Sequence, residues 1–181
     1  MVELVEKAKA FAIAAHDAIE HRRKYVDAPY WVHPQAVAGL VASVSDDAEM
    51  IAAAWLHDTV EDTPVTLQQI EQNFGPRVAS LVSDLTDVSR PSDGNRAARK
   101  SLDRAHTAKA HPDAKTVKLA DLIHNTESIV QYAPGFARIY LHEKRLLLEV
   151  LQDGNDRLYQ MAVERLRQGL EQLGLQQRDS N

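Results

Sequence analysis

The sequence predicts an all-α protein, a single-domain fold of about eight to ten helices. Three observations predict it. Apolar residues recur at steps of three and four, helix start and stop signals punctuate the chain, and no segment alternates apolar and polar residues with a period of two. The 181 residues, 44% of them apolar, suffice for one core. We expect the domain to occupy residues 1–175 and a polar tail to occupy 176–181.

An apolar stripe marks the first predicted helix, with members at Leu4, Val5, Ala8, Phe11, Ala12, Ala15 and Ile19. Later helices are marked by their ends. The start signals are prolines that fit a first turn and pairs with capping-box spacing: Pro34, Asp46 with Glu49, Thr66 with Gln69, and Pro112. The stop signals are pairs that contain proline or glycine: Thr63-Pro64, Gly75-Pro76, Pro134-Gly135 and Asp153-Gly154.

Two polar stretches, 22–33 and 88–95, are predicted to be loops between helices. The last helix is predicted over 155–173, with a stripe formed by Leu158, Met161, Ala162, Leu166 and Leu170. Such a stripe can pack into the core or form a dimer face. We expect it in the core, and the pattern leaves the formation of an oligomer open.

The composition excludes several classes of function. Lys and Arg number 21 against 26 Asp and Glu, and the net charge of -5 argues against nucleic acid as a partner. There is no cysteine, so any metal ion must be bound through histidine nitrogen and oxygen atoms. Neither a signal peptide nor a membrane span is recognisable, so we expect a soluble, cytoplasmic protein without a membrane partner.

The segment 57–62 concentrates reactive groups at the end of an apolar helix. His57, Asp58, Glu61 and Asp62 occupy four of its six positions, and residues four apart share a helix face. A charged helix end before a proline turn is the ordinary explanation of one His-Asp pair. The second acidic pair, directly after an apolar run, favours a reactive site instead.

Two more residues extend this candidate site. His33 stands at the start of one predicted helix, and Asp121 interrupts the apolar stripe of another. A carboxylate on a buried face needs a partner, and a metal ion is a common one. Two histidines with two aspartates, without thiolates, suit Mn²⁺, Fe²⁺ or Zn²⁺.

Four motifs occur in order along the chain: Arg22-Arg23-Lys24, Pro29-Tyr30-x-x-His33-Pro34, His57-Asp58-x-x-Glu61-Asp62-Thr63 and Lys118-Leu119-Ala120-Asp121-x-x-His124-Asn125. Together they resemble the hydrolase domain of RelA/SpoT proteins, within the HD superfamily of metal-dependent phosphohydrolases. The resemblance runs to about residue 155. Because 181 residues leave no room for a synthetase domain, the chain is similar to the stand-alone small alarmone hydrolases, which include the metazoan SpoT homologue.

The resemblance implies an HD-type helical fold and a specific chemistry. It implies that His33, His57, Asp58 and Asp121 hold one Mn²⁺, with Fe²⁺ or Zn²⁺ as less favoured ions. Glu61 and Asp62 would then handle the attacking water and its proton. The family reaction removes the 3′-pyrophosphate from guanosine tetra- or pentaphosphate and leaves GDP or GTP.

A nucleotide polyphosphate, the small-molecule partner implied, needs cations beside so acidic a site. The sequence offers basic residues in three regions: Arg22 to Lys24; Arg96, Arg99 and Lys100; Lys115 and Lys118. By resemblance, Arg23 packs on the purine, Lys24 lies nearby and Asn125 holds the nucleoside. Tyr140 is a further candidate for binding the substrate.

Departures from the family pattern leave the identity of the base open. Many relatives have Gly within the stretch 25–28 and Arg at the position of Glu127, both near the expected nucleoside. An adenine alarmone such as ppApp is therefore a second candidate substrate. Two different functions also share the predicted metal residues: that of another HD phosphohydrolase, such as a nucleotidase or an NADPH phosphatase, and that of a catalytically inactive nucleotide sensor. The intact pair Glu61 and Asp62 argues against the sensor.

Overall fold

The computed structural model describes residues 2–174, which form ten α-helices, one 3₁₀ turn at Pro91–Asp93 and no β-strand. The helices are α1 (Val2–Asp17), α2 (Val32–Ala42), α3 (Ala48–Leu56), α4 (Thr59–Asp62), α5 (Leu67–Phe74), α6 (Pro76–Leu85), α7 (Arg96–Ala108), α8 (Pro112–Tyr132), α9 (Pro134–Leu148) and α10 (Asp156–Gln172). The all-α prediction is confirmed. The expected tail at 176–181 lies outside the described residues.

Helices α3 and α8 form the centre of the fold. Helix α3 packs against α1, α2, α6 and α8, and α8 also contacts α2, α6, α9 and α10. The three consecutive alanines Ala52, Ala53 and Ala54 are fully buried in α3, because small side chains let neighbouring helices approach on every side. In α8 the buried face includes Leu119, Leu122 and the charged Asp121. One candidate ligand therefore lies in the interior.

Helix ends follow the sequence signals with one shift. Thr66 and Gln69 form the expected capping box at the start of α5, and Pro112 is the first residue of α8. The box expected for Asp46 does not form. The residue that caps α3 is Asp47, whose extended backbone lets its carboxylate accept hydrogen bonds from the next helical N–H groups, while Arg77 holds it in an ion pair. Asp46 is exposed beside it.

Two sequence expectations fail at the first loop. Helix α1 ends at Asp17, so Ile19 lies beyond its stripe with 43% of its surface exposed. The predicted loop 22–33 also extends too far, because α2 already begins at Val32 and includes His33 in its first turn. The isolated antiparallel bridge between Arg22 and Pro29 closes the loop into a compact turn.

The stripe of the last helix belongs to the core, as expected. Leu158, Ala162 and Leu166 are buried, and α10 packs on α8 and α9. Among residues 2–174, no helix has the length and apolar character needed to cross a membrane.

Gly154, in the connection between α9 and α10, lets that connection pass close to α8. A Cβ atom at Gly154 would lie 2.8 Å from a methyl group of Leu119 and 3.2 Å from backbone atoms of α8. We expect Gly154→Ala to lower the free energy of unfolding by about 1–3 kcal/mol through overpacking. Gly39, in α2, has open space at its Cβ position, so Gly39→Ala should raise stability by about 0.5–1 kcal/mol. Urea denaturation of both variants checks the pair, and equal effects would contradict the importance of close packing at Gly154.

Candidate metal centre

Three separate segments bring the four predicted ligands together. His33 lies in the first turn of α2, and Asp121 lies midway along α8. His57 and Asp58 stand between the end of α3 and the start of the short helix α4. At this break Thr59 donates its hydroxyl hydrogen to the carbonyl of Leu56 at 2.7 Å, which fixes the direction in which the chain leaves α3.

The four side chains converge, with each histidine Nε2 atom within 4.0 Å of an oxygen of both aspartates. His57 Nε2 lies 3.0 Å from Asp58 Oδ2, and His33 Nε2 lies 3.1 Å from Asp121 Oδ1. The cross distances are 3.5 Å from His33 Nε2 to Asp58 Oδ2 and 3.9 Å from His57 Nε2 to Asp121 Oδ1. The ligating atoms of His33, His57 and Asp58 all lie within 4.8 Å of one another, which makes them a candidate metal site.

His57 supplies a test of whether a cation fits. Its Nδ1 lies 2.7 Å from the carbonyl of Ala54, an acceptor, so Nδ1 carries a proton and Nε2 is the ring nitrogen that faces the carboxylates. That Nε2 is buried and has no hydrogen-bond partner among the described residues. Burial lowers the pKa of His57, but the carboxylates of Asp58 and Asp121 outweigh it and raise that pKa to about 9. The position therefore favours a positive charge, which a proton on Nε2 or a bound cation supplies. The donor set therefore fits a divalent metal ion.

Neighbouring side chains orient the carboxylates. Tyr30 donates its hydroxyl hydrogen to Asp58 Oδ2 at 2.7 Å, and Asn125 donates to Asp121 Oδ1 at 2.6 Å. Burial alone would raise the pKa of Asp121, but Lys118, at 3.2 Å, and the bonded His33 hold that pKa well below its usual value. Asp121 therefore stays ionised in the interior, as a metal ligand must.

A second histidine contact orients His33. The Nδ1 atoms of His33 and His124 lie 2.7 Å apart, so one of them donates to the other. Burial, together with the charge of His33, lowers the pKa of His124 to about 4, so its ring is neutral at physiological pH. His124 thus contacts His33 from the side away from Asp121 and helps to fix the orientation of its ring.

The acidic pair lies on α4, one turn beyond the His-Asp pair. Burial, then the charges of Asp58 and Glu61, raise the pKa of Asp62 to about 7. Burial, then the charges of Asp87 and Asp58, raise the pKa of Glu61. Carboxyl groups with raised pKa values beside a ligand cluster are suited to proton transfer near neutral pH.

On one side of the ligands lies a pocket of about 150 Å³ lined by the loop after α1 and by α8. Arg23 donates to Asn125 Oδ1 at 3.3 Å and to Ser128 Oγ at 3.4 Å, and its guanidinium lies 5.7 Å from the ring centre of Tyr30. Lys24 is exposed at the rim, with its ammonium over Tyr25. Asn125 therefore connects Arg23 to Asp121, the fourth predicted ligand.

On the other side several of the basic residues are engaged in ion pairs. Lys100 pairs with Asp87 at 2.9 Å, and Arg99 is half-buried beside it. Lys115 is not available to a ligand, because its ammonium is bound to Asp153 at 2.7 Å and to a backbone carbonyl. Arg96 forms a two-pronged ion pair with Glu143.

Tyr140 is a buried residue of α9, and Glu127 is an exposed residue of α8. The hydroxyl of Tyr140 lies 3.4 Å from Thr126 Oγ1. Tyr140 lines neither the cleft around Lys100 and Lys118 nor the adjoining cleft around Glu61 and Arg99. Glu127 is exposed and lines a groove between α8 and α10, on a different face from the Arg23 pocket.

Known proteins include several relatives of this chain. The family described as HD domain matches residues 8–140. A protein of Synechocystis sp. named "Probable guanosine-3′,5′-bis(diphosphate) 3′-pyrophosphohydrolase" is 38% identical over 141 residues, which cover 76% of this chain and 18% of that protein. The mouse protein named guanosine-3′,5′-bis(diphosphate) 3′-pyrophosphohydrolase MESH1 is 32% identical, with 96% of this chain and 97% of that protein covered. The chain spans less than a quarter of the length of several long bacterial relatives, including the Synechocystis protein.

Solved structures share the fold. One, described as a metazoan ortholog of SpoT that hydrolyzes ppGpp, superposes with a TM-score of 0.80 at 28% identity and covers 91% of this chain and 94% of its own. A second, lmo0812 of Listeria monocytogenes, has a TM-score of 0.66 at 21% identity, covers 79% of this chain and 96% of its own, and shows the fold alone.

Proposed function

The chain belongs to the HD domain family, and on that premise we propose that it is a Mn²⁺-dependent hydrolase of nucleotide alarmones. The reaction removes the 3′-pyrophosphate from ppGpp or pppGpp and leaves GDP or GTP. The observation that carries the proposal is the buried Nε2 of His57, which has no hydrogen-bond partner among the described residues and faces Asp58 and Asp121. It coincides with relatives named for this activity that match the chain over almost its whole length.

The ligand set supports the choice of metal. His33, His57, Asp58 and Asp121 would hold the ion through two imidazoles and two carboxylates, a mixture suited to Mn²⁺ and, less favourably, to Fe²⁺ or Zn²⁺. When bound, such an ion neutralises phosphoryl oxygens and activates water.

The chain's own groups account for the remaining chemistry. Asp62 and Glu61 accept and hold the proton of the attacking water, because their raised pKa values make them effective bases near neutral pH. Tyr30 and Asn125 keep the carboxylates of Asp58 and Asp121 oriented.

The pocket beside Arg23 is the proposed nucleoside site. The guanidinium of Arg23 offers a planar cation for stacking on a purine, and Asn125 and Lys24 contribute polar contacts at its edges. A purine of either kind can stack in this way, so ppApp is included as a substrate. The proposal involves no nucleic acid or membrane, and it places the reaction in the cytoplasm, with the nucleotide as a small-molecule partner.

The function is tested by offering ppGpp, ppApp, NADPH and deoxynucleoside monophosphates side by side to the purified, Mn²⁺-loaded protein. We expect pyrophosphate release from an alarmone, in equal amounts with the nucleoside diphosphate, and little phosphate release from the others. Turnover of the monophosphates or of NADPH, with neither alarmone hydrolysed, would replace the proposal with another HD phosphohydrolase. Binding without any turnover would indicate the sensor.

Arg23 gives a separate prediction. Arg23→Ala should raise the KM for ppGpp about tenfold or more and change kcat less, because stacking on a base contributes about 1–3 kcal/mol. Steady-state kinetics measure both constants, and metal content by mass spectrometry should stay the same. Arg138, exposed on α9, provides a control of equal charge change. An unchanged KM in Arg23→Ala would remove Arg23 from the nucleoside site.

A further inference from the structure

Helix α8 carries a polar face that extends to both sides of the ligand Asp121. Lys118, Asp121, Asn125 and Ser128 follow one another at steps of three and four and therefore share this face. From Lys118 to Ser128 the face is about 15 Å long. Arg23 contacts Asn125 and Ser128 at the C-terminal end, so the nucleoside pocket occupies that end alone. The N-terminal end has a different lining.

Three lysines from three helices meet at the N-terminal end. Lys100 of α7, Lys118 of α8 and Lys144 of α9 line one cleft, together with Arg104 and the carboxylates of Asp87, Asp103 and Glu143. Lys100 is paired with Asp87 at 2.9 Å and Lys118 with Asp121 at 3.2 Å. For Lys144, no carboxylate of residues 2–174 lies within 4.0 Å of the ammonium, which instead lies 5.0 Å from the ring centre of Tyr140.

An unpaired ammonium in this place is costly. Lys144 is half-buried, and burial together with the charge of Lys118 lowers its pKa to about 8. The other charged groups acting on it are Asp121 on α8, Lys100 on α7 and Asp87 in the loop after α6. At neutral pH most of the molecules still carry the charge, and among the described residues no direct ion pair neutralises it.

A second unpartnered donor faces the same region. The Nε–H of Arg99 is buried and has no hydrogen-bond partner among the described residues. Arg99 lines an adjoining cleft of about 240 Å³, which shares Asp87 and Lys100 with the lysine cleft and also reaches Glu61. The two clefts together present Lys144 and Arg99 as donors without acceptors, and an anion with several oxygens satisfies both.

We propose that Lys144, with Arg99, binds the pyrophosphate group that leaves the nucleotide, at the N-terminal end of the polar face of α8. The substrate then lies along α8, with its base beside Arg23, its scissile bond near the ligand cluster and its 3′-pyrophosphate at Lys144. The assignment of the anion as a leaving group rests on the proposed function. The binding of a pyrophosphate by these donors does not require turnover.

Calorimetric titration of the Mn²⁺-loaded protein with inorganic pyrophosphate tests this, with free Mn²⁺ equal in cell and syringe. Lys144→Met should raise the Kd for pyrophosphate about tenfold or more, since it removes a charge-assisted hydrogen bond. Lys144→Arg, which keeps the charge, should stay within about threefold of the unaltered protein. The control Lys109→Met removes an exposed lysine from the end of α7 and should leave the Kd and the hydrolysis rate unchanged.

The thermal midpoint separates binding from folding. Lys144→Met should unfold at the same temperature as the unaltered protein or higher, because it removes an unpaired cation. A Kd within twofold of the unaltered value in Lys144→Met, or equal losses in the Met and Arg variants, would overturn the assignment. If ppGpp is not hydrolysed but pyrophosphate binding still depends on Lys144, the proposed function fails and the anion site stands. If ppGpp is hydrolysed and Lys144→Met binds pyrophosphate normally, the anion site alone fails.

Discussion

Asp58→Ala should lower the rate of pyrophosphate release from ppGpp by about 10³-fold or more and abolish the binding of one metal ion per chain. Asp58 Oδ2 lies within 3.5 Å of both histidine Nε2 atoms, so its removal takes away a negative charge that would help to hold a cation among these atoms. Metal-assisted charge neutralisation contributes several kcal/mol to such reactions, and each 1.4 kcal/mol corresponds to about a tenfold change in rate. Metal analysis and kcat/KM measure both effects.

The matched control is Asp46→Ala. Asp46 is an exposed aspartate at the other end of α3 that caps no helix in the structure, so its removal changes the net charge equally and should leave metal content and rate unaltered. A full complement of tightly bound metal in Asp58→Ala would show that Asp58 is not a ligand. Loss of metal and rate in both variants would indicate a general effect of charge.

Asp62→Asn should lower kcat about 10²- to 10⁴-fold while the protein keeps its metal ion, because the amide cannot accept the proton of the attacking water. The pKa of Asp62 is raised to about 7, so the base is ionised above that pH and protonated below it. The rate of the unaltered protein should therefore fall as the pH drops through about 7 or somewhat lower, since a bound cation favours the carboxylate. A pH–rate profile measures this limb.

In Asp62→Asn that acidic limb should disappear or move. A variant that loses its metal along with its activity would show that Asp62 acts on the ligand cluster, and an unchanged kcat would exclude Asp62 as the base. Glu61→Gln, one residue earlier on α4, separates the two carboxyls, because only the residue that accepts the proton should govern the limb.

Site residues can be predicted from the sequence where a short segment is by itself unusual. His57 and Asp58 are neighbours at the end of an apolar helix, and Asp121 is a charge within an apolar stripe, so both can be recognised locally. The helix boundaries at Thr66, Pro76 and Pro112 are likewise local events of capping and proline geometry.

Some features depend on contacts between distant segments. The isolation of Lys144 is visible only once α7, α8 and α9 are packed, because its spacing on α9 resembles that of an ordinary surface lysine. The same holds for Lys115, a predicted phosphate ligand that Asp153 neutralises from 38 positions away. The ion pair that holds the cap residue Asp47 is formed with Arg77, which comes from α6. A charged residue can be recognised from the sequence, but the residue that neutralises it can come from a distant segment.

Metal-dependent hydrolysis is tested most directly by a titration of the metal-free protein with Mn²⁺, following ppGpp hydrolysis. We expect no activity without metal, a linear rise with each addition, and a plateau at one ion per chain. The plateau should be absent in Asp58→Ala and unchanged in Asp46→Ala. Full hydrolysis by the metal-free protein, or one bound ion per chain that produces no hydrolysis of ppGpp or ppApp, would contradict a metal-dependent alarmone hydrolase.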